Sequence, residues 1–359
     1  MKAGVLGLLV SFFVFFVLTF GCLQGSVKPV ESSFSRLVES STTSTSSVVA
    51  TSTAARVTTV LASQTTIVRT STTSSTSSTL PSGELFYFVE RDDGFRVTGG
   101  IPYAFKLDNS KIRLYYCENG IDSAVSDDGL KFIKESGVRV DMGCDPTIVK
   151  TSDGKFRMYY KISSGPGGPG QAVHSIYSAI SNDGLSFKLE GLRIDSQKTG
   201  DGGWASVPDA VKLPDGRVRI YYVSNDPQAE GGIMSAISSD GLKFTKESGV
   251  RIKGNYVDPA VAMLSDGRYW MLLAHNCPPE KVSCTGEDDL YASTSIDGLN
   301  YTTPKLVHPA HSFFDPAVMQ TGEGNYRIYY GEYGAEGEPS YIKSIRVNIS
   351  SKPFNTLLY

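Results

Sequence analysis

The sequence predicts an all-β fold. From about residue 84 to the C-terminus it reads as a five-bladed β-propeller with four-stranded blades, the ring closed by an N-terminal strand serving as outer strand of the last blade. Three observations carry this expectation: one four-part unit recurs five times, its turns are tight Asp-Gly turns at even spacing, and its strands are rich in β-branched and aromatic residues. Short strands and such turns, repeated radially, point to a propeller.

Strand A of each unit is an apolar segment opened by proline, at Pro102, Pro146, Pro208, Pro259 and Pro316, and it runs to a turn such as SDGK, PDGR, SDGR or GEGN. Strand B follows as IRLYY at 112, FRMYY at 156, VRIYY at 218, YWMLL at 269 and YRIYY at 326. After a loop of variable length, strand C runs into a second tight turn: SDDGLKF at 126, SNDGLSF at 181, SSDGLKF at 238 and SIDGLNY at 295. Strand D carries KESGVRV, KLEGLRI and KESGVRI at 134, 188 and 246. The fifth unit ends after its strand C, IKSIRV at 342, without a second turn or strand D. RDDGFRV at 91 matches the strand-D pattern and its distance to the next proline, so residues 85–97 are expected to supply the missing strand and protect an open edge.

A feature present in every blade reads as architecture. The prolines, the Asp-Gly turns, the strand-B arginines Arg113, Arg157, Arg219 and Arg327, and the strand-D arginines Arg96, Arg139, Arg193 and Arg251 fall in that class. Function is expected where blades differ, in long unlike loops on the face opposite the Asp-Gly turns.

Residues 1–22 read as an export signal: Lys2, an apolar run over residues 4–20, then Gly21-Cys22. The last pair resembles a lipobox in which Cys22 is lipidated; a secretory peptide cut nearby or an uncut anchor are the other readings. Residues 23–83 are expected to be a disordered stalk, since about two-thirds of residues 40–80 are Ser or Thr, too few large apolar groups to offset backbone ordering. Extracellular location follows, with membrane contact only through the N-terminus. O-glycosylation suits the stalk, and Asn300 and Asn348 stand in N-glycosylation patterns.

Four further cysteines, Cys117, Cys144, Cys277 and Cys284, make two disulfides possible in an exported domain. Three pairings are open; Cys277 with Cys284 would close one loop, and the repeat brings Cys117 beside Cys144. Their spacing lacks the paired C-x-x-C units of a zinc site. A net charge of −3 without a basic cluster excludes a polyanion partner such as nucleic acid. No cofactor is expected, and the chain is expected to be a monomer.

The residue before the strand-A proline reads Ile101, Asp145, Val207, Asp258 and Asp315 around the ring. The carboxylates should converge at one mouth of the channel, where mutual repulsion and burial raise pKa values and suit acid/base work. Capping of a strand start is the plainer role. Asp209 lies two positions inside its strand; Glu118, Glu332 and His275 stand just beyond strand B, and Trp204 and Tyr333 offer aromatic faces for a sugar ring. His308 and His311 with Asp258 and Asp315 form an alternative hard-metal reading.

The unit of Asp-Pro, DG turn, YY strand and S-x-DG-x-x-F resembles the five-bladed glycoside hydrolases that include arabinanases, β-xylosidases and invertase-type fructosidases, over residues 85–350. The resemblance implies a base or nucleophile Asp, an orienting Asp and a general-acid Glu at the starts of strand A in the first three blades, flanking a glycosidic bond. CDPTIV at 144 matches the second, placing Asp145 as the orienting Asp. GGIPYAF puts Ile101 where the base belongs and SVPDAV puts Val207 where the Glu belongs. Either another set (Asp258, Asp315, with Asp209 or Glu118) acts in a cell-surface glycosidase on oligosaccharide or polysaccharide, or the propeller binds glycans without hydrolysing them.

Overall fold

The computed structural model describes residues 83–165, 172–275, 289–309, 314–333 and 339–353. Among them all regular structure is β. The described chain begins with β1 (Phe86–Arg91) and β2 (Val97–Thr98), and four sheets of sequential antiparallel strands follow. Blade one holds β3 (Gly100–Lys106), β4 (Ile112–Cys117), β5 (Ile121–Ser126) and β6 (Ile133–Lys134). Blade two holds β7 (Cys144–Lys150), β8 (Phe156–Ser164), β9 (Val173–Ser181) and β10 (Lys188–Ile194). Blade three holds β11 (Ala205–Lys212), β12 (Val218–Ser224), β13 (Ile233–Ser238) and β14 (Thr245–Lys246). Blade four holds β15 (Tyr256–Met263), β16 (Tyr269–His275), β17 (Leu290–Ser295) and β18 (Lys305–His308). Blade five holds β19 (Phe314–Gly322), β20 (Asn325–Glu332) and β21 (Tyr341–Ser350), and β1 lies along β21 with Phe86 opposite Ser350 and Arg91 opposite Ile345. The inner strands β3, β7, β11, β15 and β19 touch in sequence, and β19 returns to β3, so the ring is closed.

The core is a set of wedges between blades. Each hydrophobic cluster draws side chains from two neighbours; one joins Tyr159 and Ile176 of blade two to Ile220 and Met234 of blade three, another joins Leu114 of blade one to Met319 and Tyr329 of blade five. The repeated motif explains how the wedges lock. The strand-B Arg and the Tyr two residues on reach across to the next blade's DG turn: Arg113 to Asp183 O (3.1 Å) and Tyr115 to Gly184 O (2.9 Å), Arg157 to Asp240 O and Tyr159 to Gly241 O, Arg219 to Asp297 O and Tyr221 to Gly298 O, Arg327 to Asp128 O and Tyr329 to Gly129 O. The aromatic that ends each turn motif packs edge-on against the same tyrosine, as Phe244 does on Tyr159 at 90°. Each turn Asp, such as Asp128, accepts two backbone N–H groups of its own turn, which hold its carboxyl down to about 2.

The same arginine is braced within its own blade by a strand-D carboxylate, Arg113 by Glu135, Arg157 by Glu190, Arg219 by Glu247 and Arg327 by Asp92. Asp92 also accepts from Ser344, as Glu135 accepts from Ser123, so RDDG performs in blade five the task of KESG elsewhere. The strand-D arginines complete the pattern: Arg96, Arg139, Arg193 and Arg251 donate to the leucine carbonyls of the neighbouring turns at Leu130, Leu185, Leu242 and Leu299. In blades one and three strand D is shorter than the sequence pattern suggests, with only two residues in the ladder, whereas in blade two it runs from Lys188 to Ile194.

Cys117 and Cys144 form a disulfide with Cα atoms 5.7 Å apart, joining the end of β4 to the start of β7. Cys22, Cys277, Cys284 and His311 lie outside the described residues.

Candidate functional site

Each inner strand carries a β-bulge at the residue before its proline, and at all five sites that residue has positive φ, from 46° at Val207 to 56° at Asp258. A residue preceding proline is normally extended, and a left-handed backbone costs an L-residue about 1–2 kcal/mol. Such strain persists where the surrounding structure dictates it, and a bulge serves to re-aim a side chain. Here Ile101, Asp145, Val207, Asp258 and Asp315, their prolines, Tyr103 and Asp209 line one cavity of about 30 Å³.

The three carboxylates at the bulges are not equivalent. Asp145, 3% exposed, accepts the backbone N–H of Val207 in the next blade (3.1 Å) and the Lys161 ammonium (2.9 Å), both on Oδ2; its Oδ1 has no hydrogen-bond partner among the described residues. Asp258, 7% exposed, accepts the N–H of Asp315 in the next blade (3.1 Å). Asp315 makes no such bond to Ile101 across the fifth interface; its Oδ2 accepts the Tyr333 hydroxyl (3.0 Å) instead. Burial, then the charges of Asp258 and Asp145, push the Asp315 carboxyl well above the usual carboxylate range, against a weaker pull from Tyr333 and Lys161.

A second layer lies two residues along each strand and is structural. Tyr103 donates to Ile148 O (2.9 Å), Thr147 Oγ1 accepts from Ala210 N (3.0 Å) and donates to Asp209 (3.2 Å), and Asp209 accepts from Val261 N (2.7 Å). Each side chain thus clasps the next blade, up to blade four. Desolvation pushes the Asp209 carboxyl up to about 7.

Beyond the cavity, Trp204 stacks on His174 with ring centroids 3.7 Å apart, and His174 Nδ1 lies 3.3 Å from Ser206 Oγ. Burial, then the Lys161 charge, holds this imidazole down at about 4. Tyr333 is 44% exposed and packs against Phe314 (4.8 Å). Glu118 pairs with Lys134 and Glu332 with Lys343, and His275 is wedged between Tyr256 (4.6 Å) and Tyr291 (5.6 Å). Those three stand one position beyond the residue equivalent to Lys161, and a strand alternates its faces. Lys161 and His174 were not singled out from sequence. The signal for Lys161 was present: its counterparts are Cys117, Val223, Ala274 and Gly331, so it is peculiar to blade two. Among the described residues no group of three or more His, Cys, Asp or Glu side chains is placed to hold a metal ion.

No protein-family model matches the chain, and no curated protein is similar to it in sequence. Solved structures are similar to it in fold. A thermostable family-43 glycoside hydrolase superposes with a TM-score of 0.52 at 17% identity, covering 72% of this chain and 91% of its own. An exo-1,5-α-L-arabinanase from a bovine ruminal metagenomic library gives 0.53 at 14%, covering 70% and 94%. The fold is that of the glycoside hydrolase propellers. A family-32 β-fructofuranosidase from Bombyx mori, in complex with sucrose, shares it too, at 0.54 and 15% identity over 69% of this chain and 61% of the enzyme. At these identities the likeness is one of fold, and any chemistry must be argued from this chain's own residues.

Proposed function

We propose that this propeller is a carbohydrate-active protein of glycosidase type, acting at the channel mouth and held outside the cell by the segment preceding residue 84. The observation that carries the reading is Asp315. The other two bulge carboxylates each clasp the next blade, whereas this one, among the described residues, is bonded to the half-exposed Tyr333 and has its affinity for a proton raised by burial and then by two carboxylates. A glycosidase needs one carboxyl group that keeps its proton and another that stays charged. In this role Asp315 passes its proton to the leaving glycosidic oxygen as the bond to the anomeric carbon breaks, and a water molecule adds to that carbon. Asp145, anchored by Lys161 through Oδ2, presents Oδ1 to the positive charge developing on the ring and accepts the proton that the water loses.

A second reading, glycan binding without hydrolysis, is favoured by Ile101 and Val207, which leave blades one and three without a carboxylate at the bulge. The two are separated by assaying arabinosides, xylosides, mannosides, fructosides and galactosides for product and for binding. The glycosidase reading expects at least one substrate, with turnover reduced about 100-fold or more in Asp315→Asn at unchanged melting temperature. Binding without product at any pH would transfer the protein to the second class.

A further inference from the structure

We infer that the depression between blades five and one is the sugar subsite of this mouth, shaped for a single uncharged terminal monosaccharide residue; the inference rests on the carbohydrate reading above. The depression has a volume of about 360 Å³ and includes Gly100, Ile101, Glu118, Tyr333, Pro339 and Ser340 in its lining. That is at the small end of ligand sites, which run from about 300 to 1,000 Å³. It adjoins the candidate acid directly, because the Tyr333 hydroxyl in its wall is the donor to Asp315.

The repeat shows how this interface differs from the other four. The residue opposite the end of strand B is Gly100 in blade one and Cys144, Ser206, Val257 and Phe314 in the others. Its backbone does not call for glycine: no positive φ is needed, and an added Cβ would meet nothing nearer than the Tyr333 ring at 3.4 Å. Gly99 beside it is a different case, for its φ is 127° and a Cβ would lie 2.7 Å from Tyr116. Across the interface Gly331 replaces the Cys117, Lys161, Val223 and Ala274 of the other blades, and a Cβ there would find only ordinary contacts, the nearest 3.6 Å from Ile101 N. Gly100 lies in the lining beneath Tyr333, whose ring covers the place a side chain would take, and Gly331 faces it across the interface at ordinary packing distance, so a larger residue at position 100 would displace the ring that walls the depression.

The lining also sets the ligand's chemistry. Ile101, Pro339 and the Tyr333 ring offer apolar surface to the C–H face of a sugar, while Glu118 and Ser340 offer oxygen atoms to its hydroxyls. Among the described residues no Lys, Arg or His lines the depression; Lys134 is engaged by Glu118, and Asp315 stands alongside. Sulfated sugars and uronic acids would meet no cationic partner among the described lining residues, so a neutral residue fits.

The test is calorimetric titration and glycan-array binding of neutral arabino-, xylo-, galacto-, fructo- and manno-oligosaccharides, with oligogalacturonate as the charged arm. The proteins are the wild type, Gly100→Val, which installs the blade-four residue, Gly100→Ser, which installs that of blade three, and Tyr333→Ala. The wild type is expected to bind a neutral oligosaccharide and not oligogalacturonate. Gly100→Val and Tyr333→Ala should each weaken that binding by about tenfold or more, Gly100→Ser by less, with melting temperatures unchanged. Wild-type binding that Gly100→Val leaves intact in a folded protein overturns the subsite while the carbohydrate reading stands. If Gly100→Val fails to fold, the smaller Gly100→Ser and the separate Tyr333→Ala decide in its place, and unchanged binding in both overturns the subsite. Absence of binding to every sugar overturns both readings, and preference for oligogalacturonate overturns the assigned ligand class.

Discussion

Among the inner-strand carboxylates, Asp209 is enclosed and bonded to its neighbours, and it belongs to the scaffold. Its carboxyl is raised from 3.8 to about 7 by burial, so between those pH values the folded protein holds a proton that the unfolded chain has released. Stability therefore falls as pH rises through that window, by at most about 4 kcal/mol, and is fully retained below it. Asp209→Asn, which keeps the shape and stays neutral, is expected to change stability little at pH 4 and to raise it at pH 8, measured by denaturant unfolding at both. An equal effect at the two values would remove burial as the cause. The residue scale is also where sequence was least informative. An Asp before Pro could be recognised in blades two, four and five, but the choice between clasp and acid depends on whether the neighbour's N–H reaches it, and only Asp315 turns to a tyrosine 18 residues away.

The element that sets blade geometry is the DG turn, which the sequence displayed four times and which was readable as a tight turn. Its second task was not readable: its carbonyl groups accept the arginine and tyrosine of the preceding blade. Blade five has no such turn, and blade four correspondingly has Trp270 and Leu272 where the others have Arg and Tyr. There Tyr87 of β1 stacks on Trp270 at 6.2 Å, taking the place of the turn's aromatic. The arginine and tyrosine donors are thus absent where the acceptor turn is absent; elsewhere, a buried donor or acceptor that loses its partner costs about 1–3 kcal/mol. Tyr221→Phe leaves Gly298 O without its buried donor and should lower stability by about that amount in thermal or chemical melts. No measurable loss would mean that the turn is held by packing alone.

At the scale of the whole molecule, the five-fold repeat made the ring, its two unlike faces and the position of the mouth legible before any coordinates. RDDGFRV at 91 could be matched to the strand-D pattern, and in the structure Asp92 braces Arg327 as Glu135 braces Arg113, a contact the pattern alone did not announce. What the repeat concealed is the asymmetry of the fifth interface, where Asp315 turns to Tyr333 and that ring packs over Gly100; these depend on the meeting of two blades more than 200 residues apart in the chain. In the proposed function Asp315 works as a protonated acid at this mouth, beside Asp258, Asp145, Lys161 and Tyr333. The pH dependence of kcat/KM on a hydrolysed glycoside tests it most directly. The rate is expected to hold above the ordinary carboxylate range and to fall as pH rises through the raised pKa of Asp315, with that limb abolished in Asp315→Asn. A falling limb that persists unchanged in Asp315→Asn would contradict the assignment.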